Sequence, residues 1–276
     1  QVAGETLSTN GLWKRWATNA PYVITADVTI DPNVTLAIEP GTVVKLKRSG
    51  LYCNGVIKAI GETSPITFTS YRDDAVAGPS NDTNSVPATA DWKGIYLSSA
   101  SSASEFANCI VRYPGSNLGY LNWADRFTAF YVNQSSPSFR KCVIGPSAGH
   151  GIVVNSSSGT VTDTAFEAVS KDNYAIAFDT VDTFPTLSGN TASGEGNLGI
   201  YVPGGGVGDG ARWTNPGKNF AYFPGGELSV PEGRTFTIDP GVVVKSAGQR
   251  IVVEGTLRAI GTAADPIGFT SRNKTP

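Results

Sequence analysis

Gly151-Ile152-Val153-Val154 is a four-residue pattern that returns 24 residues later as Ala175-Ile176-Ala177-Phe178, and again after another 24 as Gly199-Ile200-Tyr201-Val202. Each segment has a small residue, an apolar one, a variable one and another apolar one. The same pattern occurs earlier, in Gly94-Ile95-Tyr96-Leu97 and Ala129-Phe130-Tyr131-Val132. A second series of apolar segments repeats alongside it, starting at Phe106, Phe139, Val161 and Leu187. Two strand series with one period predict the stacked turns of a solenoid.

Alternation along a strand assigns each position of these segments to a face. The second and fourth residues are apolar throughout and are predicted to form two columns inside the coil: Ile95, Phe130, Ile152, Ile176, Ile200 and Leu97, Val132, Val154, Phe178, Val202. The third residues are predicted to point outward: Tyr96, Tyr131, Val153, Ala177 and Tyr201. The second series adds an inward apolar column of Val111, Ile144, Phe166 and Ala192 and, beside it, a small polar column of Cys109, Cys142, Thr164 and Asn190.

This pattern predicts an all-β fold, a three-sided parallel β-helix of about 8–10 coils. Each strand of such a coil pairs with the coils on either side, so only the two ends expose sheet edges. A β-propeller needs about 40–45 residues per blade and fits the period poorly. The strand spacing is also too short for alternating β and α units.

Composition sets broader limits on function. The 276 residues suffice for one large domain or two ordinary ones, and the 32 glycines and 17 prolines suit β structure with many turns. A net charge of −2 does not indicate the basic surface that binds nucleic acid, so a nucleic-acid-binding protein is not predicted. No apolar run of 18 residues is present, so no membrane span is predicted. Richness in Ser, Thr, Asn and Gly favours a secreted or cell-surface protein.

The three cysteines are Cys53, Cys109 and Cys142, an odd number that excludes a complete disulfide framework. Cys109 and Cys142 are predicted to occupy the same slot in successive coils, about 4.8 Å apart. That spacing permits a disulfide bridge. Two buried thiols are the simpler expectation.

The beginning of the chain recurs near its end. Fourteen residues between Trp13 and Gly61 return 200 positions later, between Trp213 and Gly261, among them Pro40-Gly41 and Val43-Val44-Lys45. A shift of one residue then aligns the segments that start at Pro65 and Pro266. We therefore expect a module over residues 1–211 and the start of a duplicated module over residues 212–276 that continues the solenoid. An end within a repeat predicts either that the chain is a piece of a longer protein or that its open end stacks on another copy in head-to-tail self-association.

The duplicated segment carries a family resemblance. Ile38-Glu39-Pro40-Gly41-Thr42-Val43-Val44-Lys45, Lys58-Ala59-Ile60-Gly61, Pro65-Ile66-Thr67-Phe68-Thr69-Ser70 and Asp91-Trp92-Lys93-Gly94-Ile95 resemble the right-handed parallel β-helix modules of bacterial and archaeal surface proteins. These modules belong to the pectin-lyase-like superfold. The resemblance implies a right-handed coil and an extracellular setting. It does not decide activity, since this superfold includes lyases, hydrolases, adhesins and inert spacers.

The sequence contains two candidate catalytic sites. His150, the single histidine, lies in Gly149-His150-Gly151, which resembles a signature of polygalacturonases. The paired carboxylates of an inverting hydrolase are missing from the preceding turn, where only Asp125 stands nearby, so a histidine at a corner of the coil is favoured. A lyase would need an acidic cluster for calcium and an arginine base. Arg140 is a lone arginine, and the acidic residues share no slot at the coil period: Asp163, Glu167, Asp172, Asp179 and Asp182.

A long insertion from Tyr71 to Ala90 carries carboxylates and amides. Asp73, Asp74, Asn81, Asp82 and the adjacent Asp91 provide the oxygen ligands that Ca²⁺ prefers, although their spacing does not follow an EF-hand. Long loops are usually functional or held down. The expectations are a calcium site or a solvated loop, and the second is favoured. No other cofactor is expected.

The outward tyrosines Tyr96, Tyr131 and Tyr201 are candidate ligand-binding residues, with Trp92 and Trp123 close in sequence. Aromatic faces suit the apolar faces of sugar rings. The competing expectation is that the loops at 71–91 and 113–127 fold over this face and bury the tyrosines. Trp13, Trp16 and Trp213 are expected to cap the coil or to fill the joint between the copies.

Three functions follow from these observations, in order of preference. The first is a non-catalytic structural or adhesive segment of a surface or secreted assembly. The second is a polysaccharide-binding module that uses the outward aromatic face, and the third is a carbohydrate-active enzyme resembling polygalacturonases or lyases. A polysaccharide or another surface protein is the expected partner.

Overall fold

The chain folds as an all-β parallel solenoid of about 10 turns. The computed structural model describes residues 4–16, 20–80, 85–119 and 127–272. In these ranges the one helix is a single 3-10 turn at Ser99–Ser101, and every strand pair is parallel. The predicted fold class is confirmed. No helix in this part of the chain is long and apolar enough to cross a membrane.

Three sheets form the faces of the coil. The first face has eleven strands: β1 (Thr6–Leu7), β4 (Val28–Ile30), β7 (Gly50–Cys53), β10 (Gly94–Leu97), β13 (Thr128–Asn133), β16 (His150–Asn155), β19 (Tyr174–Phe178), β22 (Asn197–Val202), β25 (Ala221–Pro224), β28 (Val243–Ser246) and β31 (Gly268–Ser271). The second face has seven: β2 (Gly11–Trp13), β5 (Thr35–Ile38), β8 (Val56–Ile60), β11 (Glu105–Ala107), β14 (Ser138–Arg140), β17 (Thr160–Thr162) and β20 (Thr186–Ser188).

The third face also has seven strands: β3 (Tyr22–Ile24), β6 (Val43–Leu46), β9 (Ile66–Ser70), β12 (Cys109–Val111), β15 (Val143–Ile144), β18 (Ala165–Val169) and β21 (Thr191–Gly194). Beyond β22 two three-stranded sheets alternate with the first face. One contains β23 (Gly205–Gly206), β26 (Leu228–Val230) and β29 (Ile251–Val253), and the other contains β24 (Arg212–Trp213), β27 (Thr235–Ile238) and β30 (Thr256–Ala259).

The predicted inward columns of the first face form the core. Ile95 pairs with Phe130, Phe130 with Ile152, and the same column continues through Ile176 to Ile200. All ten residues of the two columns are buried. Phe130 also packs edge-on against Phe106 and Phe139 of the second face, with ring centroids 5.0 and 4.9 Å away. Burial of apolar area is the main stabilising term of this fold.

The small polar column is also inside the coil. Thr164 Oγ1 accepts a hydrogen bond from the Cys142 backbone N–H at 3.3 Å, and Asn190 Oδ1 accepts one from the Thr164 N–H at 3.1 Å. Asn190 Nδ2 donates to the Val161 and Pro216 carbonyls at 2.9 and 3.0 Å. These polar groups are therefore satisfied although they are buried. Cys53, Cys109 and Cys142 are buried free thiols.

The duplicated segments keep their local structure but occupy different faces. Trp13 stacks on Tyr22 with ring centroids 5.2 Å apart, and Trp213 stacks on Tyr222 at 4.4 Å. Strands β3, β6 and β9 lie in the third face, whereas their counterparts β25, β28 and β31 lie in the first. The second copy therefore enters the coil one face later. The module boundary at residue 212 stays a prediction.

Candidate functional site

The first face places three tyrosines side by side on its outer surface. Tyr52 is the register partner of Tyr96, and Tyr96 is the partner of Tyr131. The Tyr52 and Tyr96 ring centroids are 6.3 Å apart, and the Tyr96 and Tyr131 rings stack at 5.9 Å with 11° between their planes. Strand pairing thus produces a ladder of aromatic rings along the coil axis.

Tyr201 is separate from this ladder. Val153 and Ala177 occupy the two intervening positions of the outward column, so two coils lie between Tyr131 and Tyr201. The Tyr201 ring instead contacts Tyr174, with centroids 5.2 Å apart. Tyr52 is not among the ligand-binding residues predicted from the sequence. Its segment, Gly50-Leu51-Tyr52-Cys53, fits the repeating pattern and could have been found in the sequence.

The segment after Gly115 folds over part of the ladder. Leu118 is buried against Tyr131, Val153 and Ala177 in a small apolar cluster outside the coil. Its backbone carbonyl accepts a hydrogen bond from the Tyr52 hydroxyl at 2.8 Å. Tyr131 is therefore buried beneath this segment. Tyr52 and Tyr96 remain half-buried.

Beside these two rings lies a groove of about 700 Å³. Its lining combines aromatic, charged and amide side chains: Asp27, Thr29, Tyr52, Asn54, Lys93, Tyr96, Leu118, Gly119 and Asn133. Few, well-placed polar groups on an aromatic wall are what a small polar ligand such as a sugar requires.

Hydrogen bonds hold the polar groups of this groove in place. Lys93 Nζ lies 2.6 Å from Asp27 Oδ2, and Asp27 Oδ1 accepts the Gly50 backbone N–H at 2.9 Å. Asn133 Nδ2 donates to the Tyr96 hydroxyl at 3.0 Å, and Asn133 Oδ1 in turn accepts from Asn155 Nδ2 at 3.0 Å. Because these side chains are already held in place, less conformational entropy is lost when a ligand binds to them.

The predicted tryptophans do not extend the groove. Trp92 has no exposed surface, and its indole Nε1 donates a hydrogen bond to the Arg112 carbonyl at 2.8 Å. It is therefore part of the hydrophobic core. Trp123 lies outside the described residues.

The acidic loop surrounds a lysine of the protein itself. Lys45 points outward from β6, and its Nζ donates to the Asp73 carbonyl at 2.8 Å and also to the Gly78 carbonyl. The Asp73 carboxylate accepts from Thr69 Oγ1 at 2.7 Å. The loop covers Lys45 completely. Burial lowers the pKa of Lys45, and the charges of Asp73 and Asp74 oppose that shift.

Asp91 closes the base of the same loop. It accepts hydrogen bonds from Ser70 Oγ at 2.6 Å and from the Ala88 N–H at 2.9 Å, and it lies 3.5 Å from Arg72. Asn81 and Asp82 lie outside the described residues. Among the residues that are described, no three His, Cys, Asp or Glu side chains form a cluster that could hold a metal ion. The calcium site stays a prediction.

His150 occupies the first position of β16. Its Nδ1 accepts the Tyr174 backbone N–H at 3.0 Å, and its ring lies 5.9 Å from the Tyr174 ring. Burial lowers the pKa of His150 to about 4, so the imidazole is neutral at pH 7. The favoured expectation of a corner histidine agrees with this bonding. Arg140, the candidate lyase base, is 2.7 Å from Glu62 in an ion pair.

Comparison with protein-family models, curated proteins and solved structures found no match to this chain. The candidate function therefore depends on the geometry of the coil and of its groove.

Proposed function

We propose that this chain is a non-catalytic structural or adhesive segment of a secreted or cell-surface assembly, related to the right-handed parallel β-helix modules of the pectin-lyase-like superfold. The observation that carries this proposal is the eleven-stranded first face, which runs from β1 to β31 without a break in pairing. At about 4.8 Å per strand spacing it is roughly 48 Å long. A rod bonded along its whole length resists bending and extension, which suits a spacer.

Single-molecule pulling between tags at the two chain ends tests the mechanical role. We expect the coil to resist unfolding until a high force and then to lose coils in steps, because each coil contacts only its neighbours. Phe130→Ala should lower the first unfolding force. Extension at low force without discrete steps would contradict the proposal.

An activity assay tests the non-catalytic part. Incubation with pectin, polygalacturonate and other acidic polysaccharides should release no reducing ends and no unsaturated products. Turnover that disappears in His150→Ala would favour the hydrolase function over the structural one.

Polysaccharide binding is the second candidate, because the groove sets two half-buried tyrosine rings beside Asp27, Lys93 and Asn133. A glycan array followed by calorimetry tests it. Each ring contact contributes about 0.5–1.5 kcal/mol, so Tyr52→Ala combined with Tyr96→Ala should weaken binding about tenfold or more. Trp16→Ala, at an exposed aromatic outside the groove, is the matched control. Absence of binding to every glycan would exclude this function.

A further inference from the structure

A β-turn at the corner between the first and second faces carries an exposed asparagine. The Val34 N–H donates to the Asp31 carbonyl at 3.2 Å, and Asn33, the third residue of the turn, has a positive φ of 66°. With Pro32 at the second position, these are the features of a type II turn. Asn33 is exposed, and its side-chain amide makes no hydrogen bond within the described residues.

The exposure of Asn33 depends on neither end of the chain. Strand β4, which leads into the turn, pairs with β1 on one side and with β7 on the other. The corners that follow those two strands, at residues 8–10 and 54–55, are both described and flank the turn. Gly55 packs so closely beneath the turn that a Cβ there would collide with the Val34 carbonyl. The position of the turn on the coil is therefore fixed from both sides.

Asn33-Val34-Thr35 is an acceptor sequence for an N-linked glycan, Asn-x-Ser/Thr with x other than proline. Thr35 begins β5 and is half-buried, and in the described part of the chain its hydroxyl makes no hydrogen bond. The Thr35 backbone N–H donates to Asn10 Oδ1 at 2.9 Å, which holds the residue in place. The amide and the hydroxyl of this sequence are thus both available.

Two further acceptor sequences in the described residues are not available in the folded protein. Asn133 Nδ2 donates to the Tyr96 hydroxyl, and Asn155 Nδ2 donates to Asn133 Oδ1, both at 3.0 Å. Their hydroxyl residues, Ser135 and Ser157, are only 1% and 6% exposed. The structure therefore favours the sequence at Asn33 over these two.

The second copy has the same turn without the acceptor asparagine. The Arg234 N–H donates to the carbonyl three residues earlier at 3.0 Å, and Gly233, the counterpart of Asn33, has a φ of 73°. Glycine adopts a positive φ with the least strain, so the turn itself does not require an asparagine. Thr235 is the counterpart of Thr35, so the two copies share the hydroxyl and differ in the amide.

We propose that Asn33 is an acceptor site for N-linked glycosylation and takes an oligosaccharide from a lipid-pyrophosphate donor. In the transfer a bond forms between Asn33 Nδ2 and C1 of the first sugar, and the bond between C1 and the pyrophosphate oxygen breaks. The amide loses one proton, and the lipid pyrophosphate is the leaving group. The proposal rests on the secreted or cell-surface setting of the proposed function, because this modification belongs to surface turns of exported chains.

Transfer in solution to the purified, folded chain tests this site. The reaction contains an oligosaccharyltransferase specific for Asn-x-Ser/Thr and its lipid-linked donor. Every chain tested carries Asn81→Gln and Asn273→Gln, because the acceptor sequences at those positions lie outside the described residues. Intact-mass spectrometry should show one added glycan, and peptide mapping should place it on Asn33. The reaction does not depend on where the chain resides, so its failure would leave the structural function standing.

Substitutions within the two turns supply the controls. Thr35→Val keeps the shape of the side chain but removes the hydroxyl and should abolish transfer, whereas Thr35→Ser should retain it. Gly233→Asn completes an acceptor sequence on the equivalent turn, where a Cβ meets no atom within 4 Å, and should add a second glycan. Urea unfolding checks that each variant is folded. No glycan on the folded chain, or a glycan on Asn133 or Asn155 instead, would overturn the proposal.

Discussion

Lys45 Nζ donates a hydrogen bond to the Asp73 carbonyl at 2.8 Å across 28 residues of sequence, and the loop that makes this bond excludes the lysine from water. One side chain thus ties the acidic insertion to the coil. A buried ammonium is tolerated only where such partners surround it.

Lys45→Met should therefore release the loop. Two carbonyls lose their donor, and we expect the free energy of unfolding to fall by about 2–4 kcal/mol. Urea unfolding measures the change, and limited proteolysis should cut between residues 71 and 90 sooner. Lys245→Met is the matched control and should change stability by less than about 0.5 kcal/mol. Equal effects of the two substitutions would contradict this account.

His150 should make stability depend on pH. Its folded pKa of about 4 lies below the ordinary value of 6.5, so the unfolded chain takes up the proton first as the pH falls. The contribution of the neutral His150 to the free energy of unfolding is therefore complete above pH 6.5 and falls by about 2–3 kcal/mol towards pH 4. His150→Asn keeps a hydrogen-bond acceptor but cannot titrate. Urea unfolding of the unchanged protein and of His150→Asn gives the free energy of unfolding against pH for each. The difference between the two profiles separates the effect of His150 from that of the carboxylates, and parallel profiles would show that His150 is not buried in its neutral form.

Phe130 and Phe269 allow a test of the core within one column of the first face. Phe130 is buried between two other phenylalanines, whereas Phe269 is 55% exposed. Phe130→Ala should cost about 3–5 kcal/mol, and Phe269→Ala less than about 1 kcal/mol. Chemical unfolding gives both values. A small loss for Phe130→Ala would mean that this part of the coil is loosely packed.

The three cysteines should be unreactive in the native protein. Each is at most 2% exposed. Burial raises the pKa of the Cys53 thiol, and a hydrogen bond with Cys142, together with burial, raises the pKa of the Cys109 thiol, so the thiolate fraction of both is lowered. A thiol reagent should label none of them before unfolding and all three after it. A single labelled thiol in the unfolded, unreduced chain would instead reveal a Cys109–Cys142 bridge.

The sequence is sufficient to predict which residues form the core, but not which residues of the outer surface are covered. The inward positions of Ile152 and Val154 follow from the sequence, because strand alternation and a 24-residue period leave one consistent solution. Lys45 occupies an outward slot, where a lysine is normally solvated, and only the path of the loop buries it. The insertion that supplies this loop also separates Gly50 from Gly94 by 44 residues, which hid Tyr52 from the periodic pattern.

The change of face between the copies was not predictable for a related reason. Both copies have the same alternation of apolar and polar residues. That pattern predicts whether a side chain points into or out of the coil, but it does not predict which sheet the strand joins. Strand pairing between residues far apart in sequence decides the sheet, as when Val202 pairs with Pro224.

The one-face offset has a geometric consequence for what the surface can display. Positions 45 and 245 are identical in sequence, yet the sheets that carry them point in directions about one third of a turn apart around the axis. A chain built by repeating this unit with the same offset would present a given side chain along a spiral, and it would face one direction again only at every third unit. Ligands bound to neighbouring units of such a rod would point in different directions around its axis, so two large partners could bind neighbouring units without colliding.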